Sequence, residues 1–240
     1  MTIETQILVS LLKLTKQGPF QKELLGRDAR VSMPVVNEIL EKLCQNMLCQ
    51  QRQGVVDATS IQRVKIAVRA IRLGADFERV CIFLQWKEFE ELAAEAFRAN
   101  GYSVTNNFRF KHAGKRFEID LLACMEPLIV CVDCKHWHHG WSRAAIVKVV
   151  EMQKNRTEAL ADAFPMVYEK IGLETWKQAI FTPTVLSLTQ GPFKFHNKVP
   201  IVPILKIQNF LNELPAHTHL LTHFSIKIKS DKHKLTKYSK

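Results

Sequence analysis

The chain has 240 residues, 47% of them hydrophobic, enough for one large core or two small ones. No apolar run reaches the ~20 residues that cross a bilayer, and the start MTIETQILVSLLKL lacks a basic leader and a small-residue cleavage site, so neither a membrane span nor a signal peptide is expected. The net charge of +11 points to acidic partners.

The excess charge is unevenly placed. Residues 1–60 contribute +1, residues 61–85 +3, residues 86–224 +2 and the stretch from 225 onward +5. A connecting segment and a tail that carry most of the charge suit nucleic acid, with a merely solvated tail as the plainer alternative. The six cysteines (44, 49, 81, 124, 131, 134) lie in periodic segments and read as reduced thiols of a cytoplasmic protein.

Residues 4–14 carry apolar side chains at helical spacing, and Gly18-Pro19 ends that run. A short helix is expected near 21–25. Ser32 then caps a third helix, MPVVNEILEKLCQNML, with Pro34 in its first turn. CQQRQGVVDAT has strand-like ends around a glycine turn. Three helices and such a wing resemble a winged helix-turn-helix over residues 1–60. The polar side of the third helix offers Asn37, Glu38, Glu41 and only Lys42, a poor surface for phosphate, so packing or dimerisation is as good a reading of this module as DNA binding. Better phosphate candidates are Arg52 on the wing and Arg63, Lys65, Arg69 and Arg72 on the basic connecting helix, SIQRVKIAVRAIRLG, within 61–85.

From Trp86 the pattern WKEFEELAAEAFRANGYSV places Phe89, Leu92, Ala93, Ala96 and Phe97 on one helical face, closed by Asn100-Gly101. Glu90 lies about 90° from the centre of that face by the ~100° step per residue, and Glu88 flanks the opposite border equally well. Three strands follow at 103–110, 116–124 and 128–135, with His112-Ala113-Gly114 and Glu126-Pro127 as turns. Lys115 and Arg116 beside the first turn join the phosphate candidates.

In the third strand the period of two puts Cys131, Asp133 and Lys135 on one face, and Val132 and Cys134 on the other. A tight Glu126-Pro127 connection pairs Asp120 with Asp133, although proline leaves room for a slip of one or two residues. Two carboxylates opposed on one face repel unless a cation sits between them. Oxygen ligands with open positions for water suit Mg²⁺ or Mn²⁺ better than zinc. Lys135 would stabilise negative charge near that ion or orient a water. A zinc reading of Cys131, Cys134, His136, His138 and His139 is weakened because the two cysteines point to opposite faces. Trp137 and Trp141 then line a cleft or pack on the next helix. A plain salt-bridge cluster is the remaining structural reading, in which Lys135 neutralises one carboxylate but not both.

Phe89-Glu90, Glu118-Ile119-Asp120-Leu121 and Val132-Asp133-Cys134-Lys135, in this order and spacing, resemble the PD-(D/E)xK nuclease superfamily in its Mrr-type restriction endonuclease and archaeal Holliday-junction-resolvase-like branch. The resemblance spans 86–214 and includes a helix from about 142, a strand at 178–183, KVPIVPIL and the helix KIQNFLNEL. It implies a restriction-endonuclease-like αβββαβ core with a mixed central sheet, so that the chain reads as α/β (α+β): the winged helix-turn-helix-like domain, the connecting helix, this core, and a basic C-terminal tail at 215–240. It further implies that Asp120, Asp133 and the backbone carbonyl of Cys134 bind the divalent metal, that Lys135 serves the attacking water, and that Glu90 completes or supports the acidic site. Gln153 on the following helix is a further candidate for substrate or water contact. The expected activity is Mg²⁺- or Mn²⁺-dependent endonucleolytic hydrolysis of duplex or branched DNA, without an organic cofactor; a homodimer would supply two sites for double-strand cutting. Aspartate at 133 departs from the glutamine or glutamate typical there but keeps the charge. The alternative is a non-catalytic DNA-binding or regulatory protein on a nuclease-like scaffold.

Overall fold

The computed structural model describes residues 2–135, 142–173, 175–188 and 190–228, which fall into two compact units, one up to Glu95 and one from Ala96 onward. In the first unit, α1 (Ile3–Thr15) is capped by Thr2, whose hydroxyl accepts from the Thr5 N–H, and it buries Ile7, Leu8, Leu11 and Leu12 on one stripe. A two-residue strand β1 (Phe20–Gln21) leads into α2 (Lys22–Ala29), which ends at Arg30 in the left-handed region. The next helix, α3 (Met33–Gln45), has Pro34 in its first turn; Ser32 occupies the cap position, but its hydroxyl makes no capping bond. As the periodicity predicts, Asn37, Glu38, Glu41 and Lys42 are exposed.

Strands β2 (Gln50–Arg52) and β3 (Val55–Asp57) form a hairpin around Gln53-Gly54, both at positive φ as a tight primed turn requires. With β1 they make an antiparallel sheet in the order β1-β3-β2. Then come α4 (Ser60–Arg72), opened by a capping box between Thr59 and Gln62, and α5 (Phe77–Ile82), capped by Asp76. The boundary between the units falls inside α6 (Trp86–Ala99). That helix closes at Gly101 (φ 85), where the Tyr102 N–H bonds back to the Phe97 carbonyl.

The second unit is built on a mixed sheet. Strands β4 (Ser103–His112), β5 (Lys115–Met125) and β6 (Leu128–Lys135) form an antiparallel meander. A 29-residue helix, α7 (Arg143–Ile171), makes the crossover to β7 (Gln178–Ser187), which lies parallel to β6. The sheet continues through β8 (Phe195–His196) and β9 (Val199–Pro203) in the order β4-β5-β6-β7-β9-β8. After α8 (Ile207–His217), the short β10 (Phe224–Lys227) pairs with β7, so part of the stretch read as a tail is structured. This is the mixed α/β architecture that the order of elements predicts. Residues 229–240 of that stretch lie outside the described residues.

The core of the second unit lies between α7 and one face of the sheet. Leu122, Ile129, Cys131 and Phe181 meet Leu160, Ala163, Phe164 and Val167 there. This packing fixes which side chains of β5 and β6 face the helix. Among the described residues no helix is long and apolar enough to cross a membrane.

Candidate active site

The turn between β5 and β6 is cis at Glu126-Pro127, with proline at the third position of a type VI turn. The ladder then runs Met125↔Leu128, Cys124↔Ile129, Ala123↔Val130, Leu122↔Cys131, Leu121↔Val132, the register that a tight connection predicts. Continued by one step beyond the last pair, this register puts Asp120 opposite Asp133. At this point the Asp120 carboxylate accepts the Cys134 backbone N–H at 2.8 Å. The β4–β5 ladder is interrupted at the same place. It passes from Asn106↔Leu121 to Phe108↔Ile119, and Asn107, opposite Asp120, has φ 52.

Asp133 is 2% exposed and meets two cations. Arg156 of α7 donates from Nη1 to Oδ1 at 2.7 Å, and the Lys135 ammonium lies 2.8 Å from Oδ2. The latter contact is an ion pair without hydrogen-bond alignment, so Oδ2 also counts among the buried acceptors lacking a directed bond. The Asp120 carboxyl is pushed above its ordinary range, first by burial and then by the charge of Asp133; the Cys134 N–H and the charges of Lys135 and Arg156 act against this rise. Gln153 is fully buried and donates from Nε2 to the Cys131 carbonyl at 2.7 Å, while its Oε1 has no hydrogen-bond partner among the described residues. Thr157 on the next turn bonds back to the Gln153 carbonyl.

These residues fit a hard divalent cation. The donors on offer are oxygens: the carboxylates of Asp120 and Asp133 on neighbouring strands, backbone carbonyls, and the Gln153 amide oxygen, which lacks a partner among the described residues. Among the described residues no group of three or more His, Cys, Asp or Glu side chains could hold a metal. One or two carboxylates suffice for Mg²⁺, which keeps several of its waters. Burial is the first cause of the raised Asp120 carboxyl and the charge of Asp133 the second. Cys131 is buried and its thiol is pushed up by that burial, the opposite of a zinc-ready thiolate. His136, Trp137, His138, His139 and Trp141 lie outside the described residues.

The remaining expected residues divide between the units. Glu90 is buried, at 5% exposure, on the part of α6 that belongs to the first unit. Glu88, its rival by helical geometry, is taken by Arg63. Arg63 is itself 2% exposed and is not a surface phosphate contact: it donates to Glu88 Oε1 at 2.9 Å, to the Leu12 and Phe83 carbonyls at 2.8 and 2.6 Å, and to the Thr15 hydroxyl. The Phe77–Ile82 and Ser60–Arg72 helices and α1 are thereby tied to one guanidinium. Lys65, Arg69 and Arg72 line a cavity of about 840 Å³ in the first unit with Leu48, Val64 and Val68, and Arg69 pairs with Glu4 at 2.6 Å. Arg52, Lys115 and Arg116 are exposed.

Sequence reasoning missed Arg156 and Asn107. Arg156 was signalled by its place three residues after Gln153, on the same helical face. Asn107 was signalled by the pair Asn106-Asn107, which breaks the β pattern of its strand.

Residues 85–170 match the nuclease-related domain (NERD). An uncharacterized protein of Archaeoglobus fulgidus is 30% identical over 131 residues, covering 55% of this chain and 92% of that protein. The chain belongs to the nuclease-related domain family. The NERD match contains Asp120, Asp133, Lys135, Gln153 and Arg156. Two crystal structures are also similar: a protein of unknown function, 14% identical over 42% of this chain and 46% of that one (TM-score 0.30), and a Vibrio cholerae protein, 10% identical over 89% of this chain and 50% of that one (TM-score 0.40). The NERD chain thus spans about half the length of each.

Proposed function

We propose that this protein is a metal-dependent endodeoxyribonuclease that hydrolyses phosphodiester bonds of duplex or branched DNA, with Mg²⁺ or Mn²⁺ as its cation. The observation that carries this reading is the Asp120 carboxylate, bonded across to the Cys134 N–H of the neighbouring strand, with Asp133 next to Cys134 and itself met by Lys135 and Arg156. Asp120, Asp133 and the Cys134 carbonyl would hold the cation, which when bound would supply a nucleophile at neutral pH and offset charge on the phosphate. Lys135 places an ammonium where negative charge develops at the phosphate oxygens. Arg156 holds one oxygen of Asp133 in place, and Gln153 ties α7 to the backbone of β6.

The Mrr-type and junction-resolvase-like reading is retained within this proposal, as is a winged helix-turn-helix role for the three helices and three-stranded sheet of the first 60 residues. Arg52, Lys65, Arg72, Lys115 and Arg116 are the candidate DNA contacts. The cytoplasmic setting expected from the six cysteines is kept as part of this proposal.

A second reading, a non-catalytic DNA-binding scaffold, is favoured by one feature: Asp133 is already met by two cations. Cleavage of plasmid, linear and four-way-junction DNA with Mg²⁺ or Mn²⁺ separates the two. A nuclease loses cleavage in Asp120→Asn and Lys135→Ala while retaining binding, whereas a scaffold binds DNA and cuts none.

A further inference from the structure

Past Asp120 the sheet narrows. The β5–β6 ladder stops at Leu121↔Val132, whereas β5 stays paired with β4 through Ile119, Glu118, Phe117, Arg116 and Lys115. Among the described residues the hairpin runs on as a two-stranded arm. Between this arm and the C-terminal half of α7 lies a groove of about 740 Å³, within the size range of ligand sites.

Its rims carry Arg109, Lys111, Arg116 and Lys170. The one acid lining it among the described residues, Glu118, is paired with Arg109 at 2.8 Å. The apolar lining includes Phe117, stacked on Phe110 at 5.3 Å and 15°, and Met166, which is 69% exposed. Phe117 is three residues along β5 from Asp120, about 10 Å at the usual strand rise. Cations on the rims match a phosphate backbone. An aromatic and thioether floor is of no use to duplex DNA, whose bases are stacked on each other, but it can stack an unpaired base.

We propose that this groove binds an unpaired nucleic-acid strand, with its phosphates on Lys111, Arg116 and Lys170 and a base against Phe117 and Met166. The proposal deepens the nuclease reading, on which its role in substrate choice rests, by naming the substrate as DNA with a single-stranded segment close to the acidic pair. An acidic polypeptide is the competing occupant.

The test is fluorescence anisotropy on the full chain in chelator, with labelled oligothymidylate and a duplex of equal length across a salt series. The triple variant K111A/R116A/K170A is expected to bind oligothymidylate at least about tenfold more weakly and to flatten the slope of log affinity against log salt by about 2, from ~0.7 per phosphate contact. Phe117→Leu keeps the apolar volume but loses the ring face; it is expected to weaken oligothymidylate binding about fivefold or more with the salt slope unchanged. Both variants should melt like wild type, and duplex affinity should fall less. Unchanged oligothymidylate affinity, or an equal loss for duplex, would overturn the proposal. So would poly-L-glutamate losing affinity in step with oligothymidylate in both variants. Chelator removes cleavage from the measurement, so failure here leaves the nuclease reading standing, and absence of cleavage leaves the groove standing.

Discussion

Asp133 and Asp120 are two acids in one site with opposite circumstances. Asp133 has two cations within hydrogen-bonding distance, and removing one leaves a buried carboxylate short of charge. Arg156→Ala is therefore expected to cost about 1–3 kcal/mol in denaturant unfolding, and to abolish cleavage by letting Asp133 turn. Arg156→Lys should restore stability in part. Among the described residues Asp120 has one hydrogen-bond donor, the Cys134 backbone N–H, and burial together with the charge of Asp133 holds its carboxyl above the ordinary range. The folded protein thus binds this proton more tightly than the unfolded chain does. The stabilisation from the protonated form is full below the unfolded pKa and is lost as pH rises through the folded one. Asp120→Asn, which can still accept the Cys134 N–H, should be at least as stable as wild type at pH 7 without metal. That advantage should vanish on acidification below the ordinary carboxylate range. Added Mg²⁺ should raise the melting temperature of wild type and leave the variant unmoved.

At the scale of the element, α4 shows what the sequence held and what was read past. Its buried stripe is Arg63, Ile66, Ala67 and Ala70, spaced i, i+3, i+4, i+7. An arginine on a core stripe must be buried with a partner, and the acid that meets it is Glu88. Treating every basic residue of that helix alike hid this. Arg63→Ala is expected to cost about 3–5 kcal/mol, the range for breaking a buried ion pair, while Lys65→Ala stays within about 0.5 kcal/mol; chemical denaturation of the two variants checks both. In contrast, the β5–β6 register was legible from one turn and strict alternation, and the cis Glu126-Pro127 bond accommodates the proline that left a slip open. Asn107 and Arg156 were less so, because each acts through tertiary placement: a strand interruption opposite Asp120 and a helix face laid on Asp133.

Across the whole molecule, the nuclease proposal gives the charge pattern and the site the same partner. On that proposal the +5 contributed from residue 225 onward would attract DNA independently of sequence. The stretch Phe224–Lys227 is strand, so the informative truncation comes after Ile228 and leaves β10 intact. It should weaken DNA binding and flatten its salt dependence without moving the melting temperature; an unchanged slope would mark the tail as solvated only. The central claim is chemical. The most direct measurement is Mg²⁺- or Mn²⁺-dependent nicking of plasmid DNA by wild type, Asp120→Asn and Lys135→Ala, with binding measured alongside. The nuclease account predicts cutting by wild type alone and DNA binding by all three. Wild type that binds DNA yet cuts nothing with either cation, or Asp120→Asn that cuts as wild type does, would contradict it.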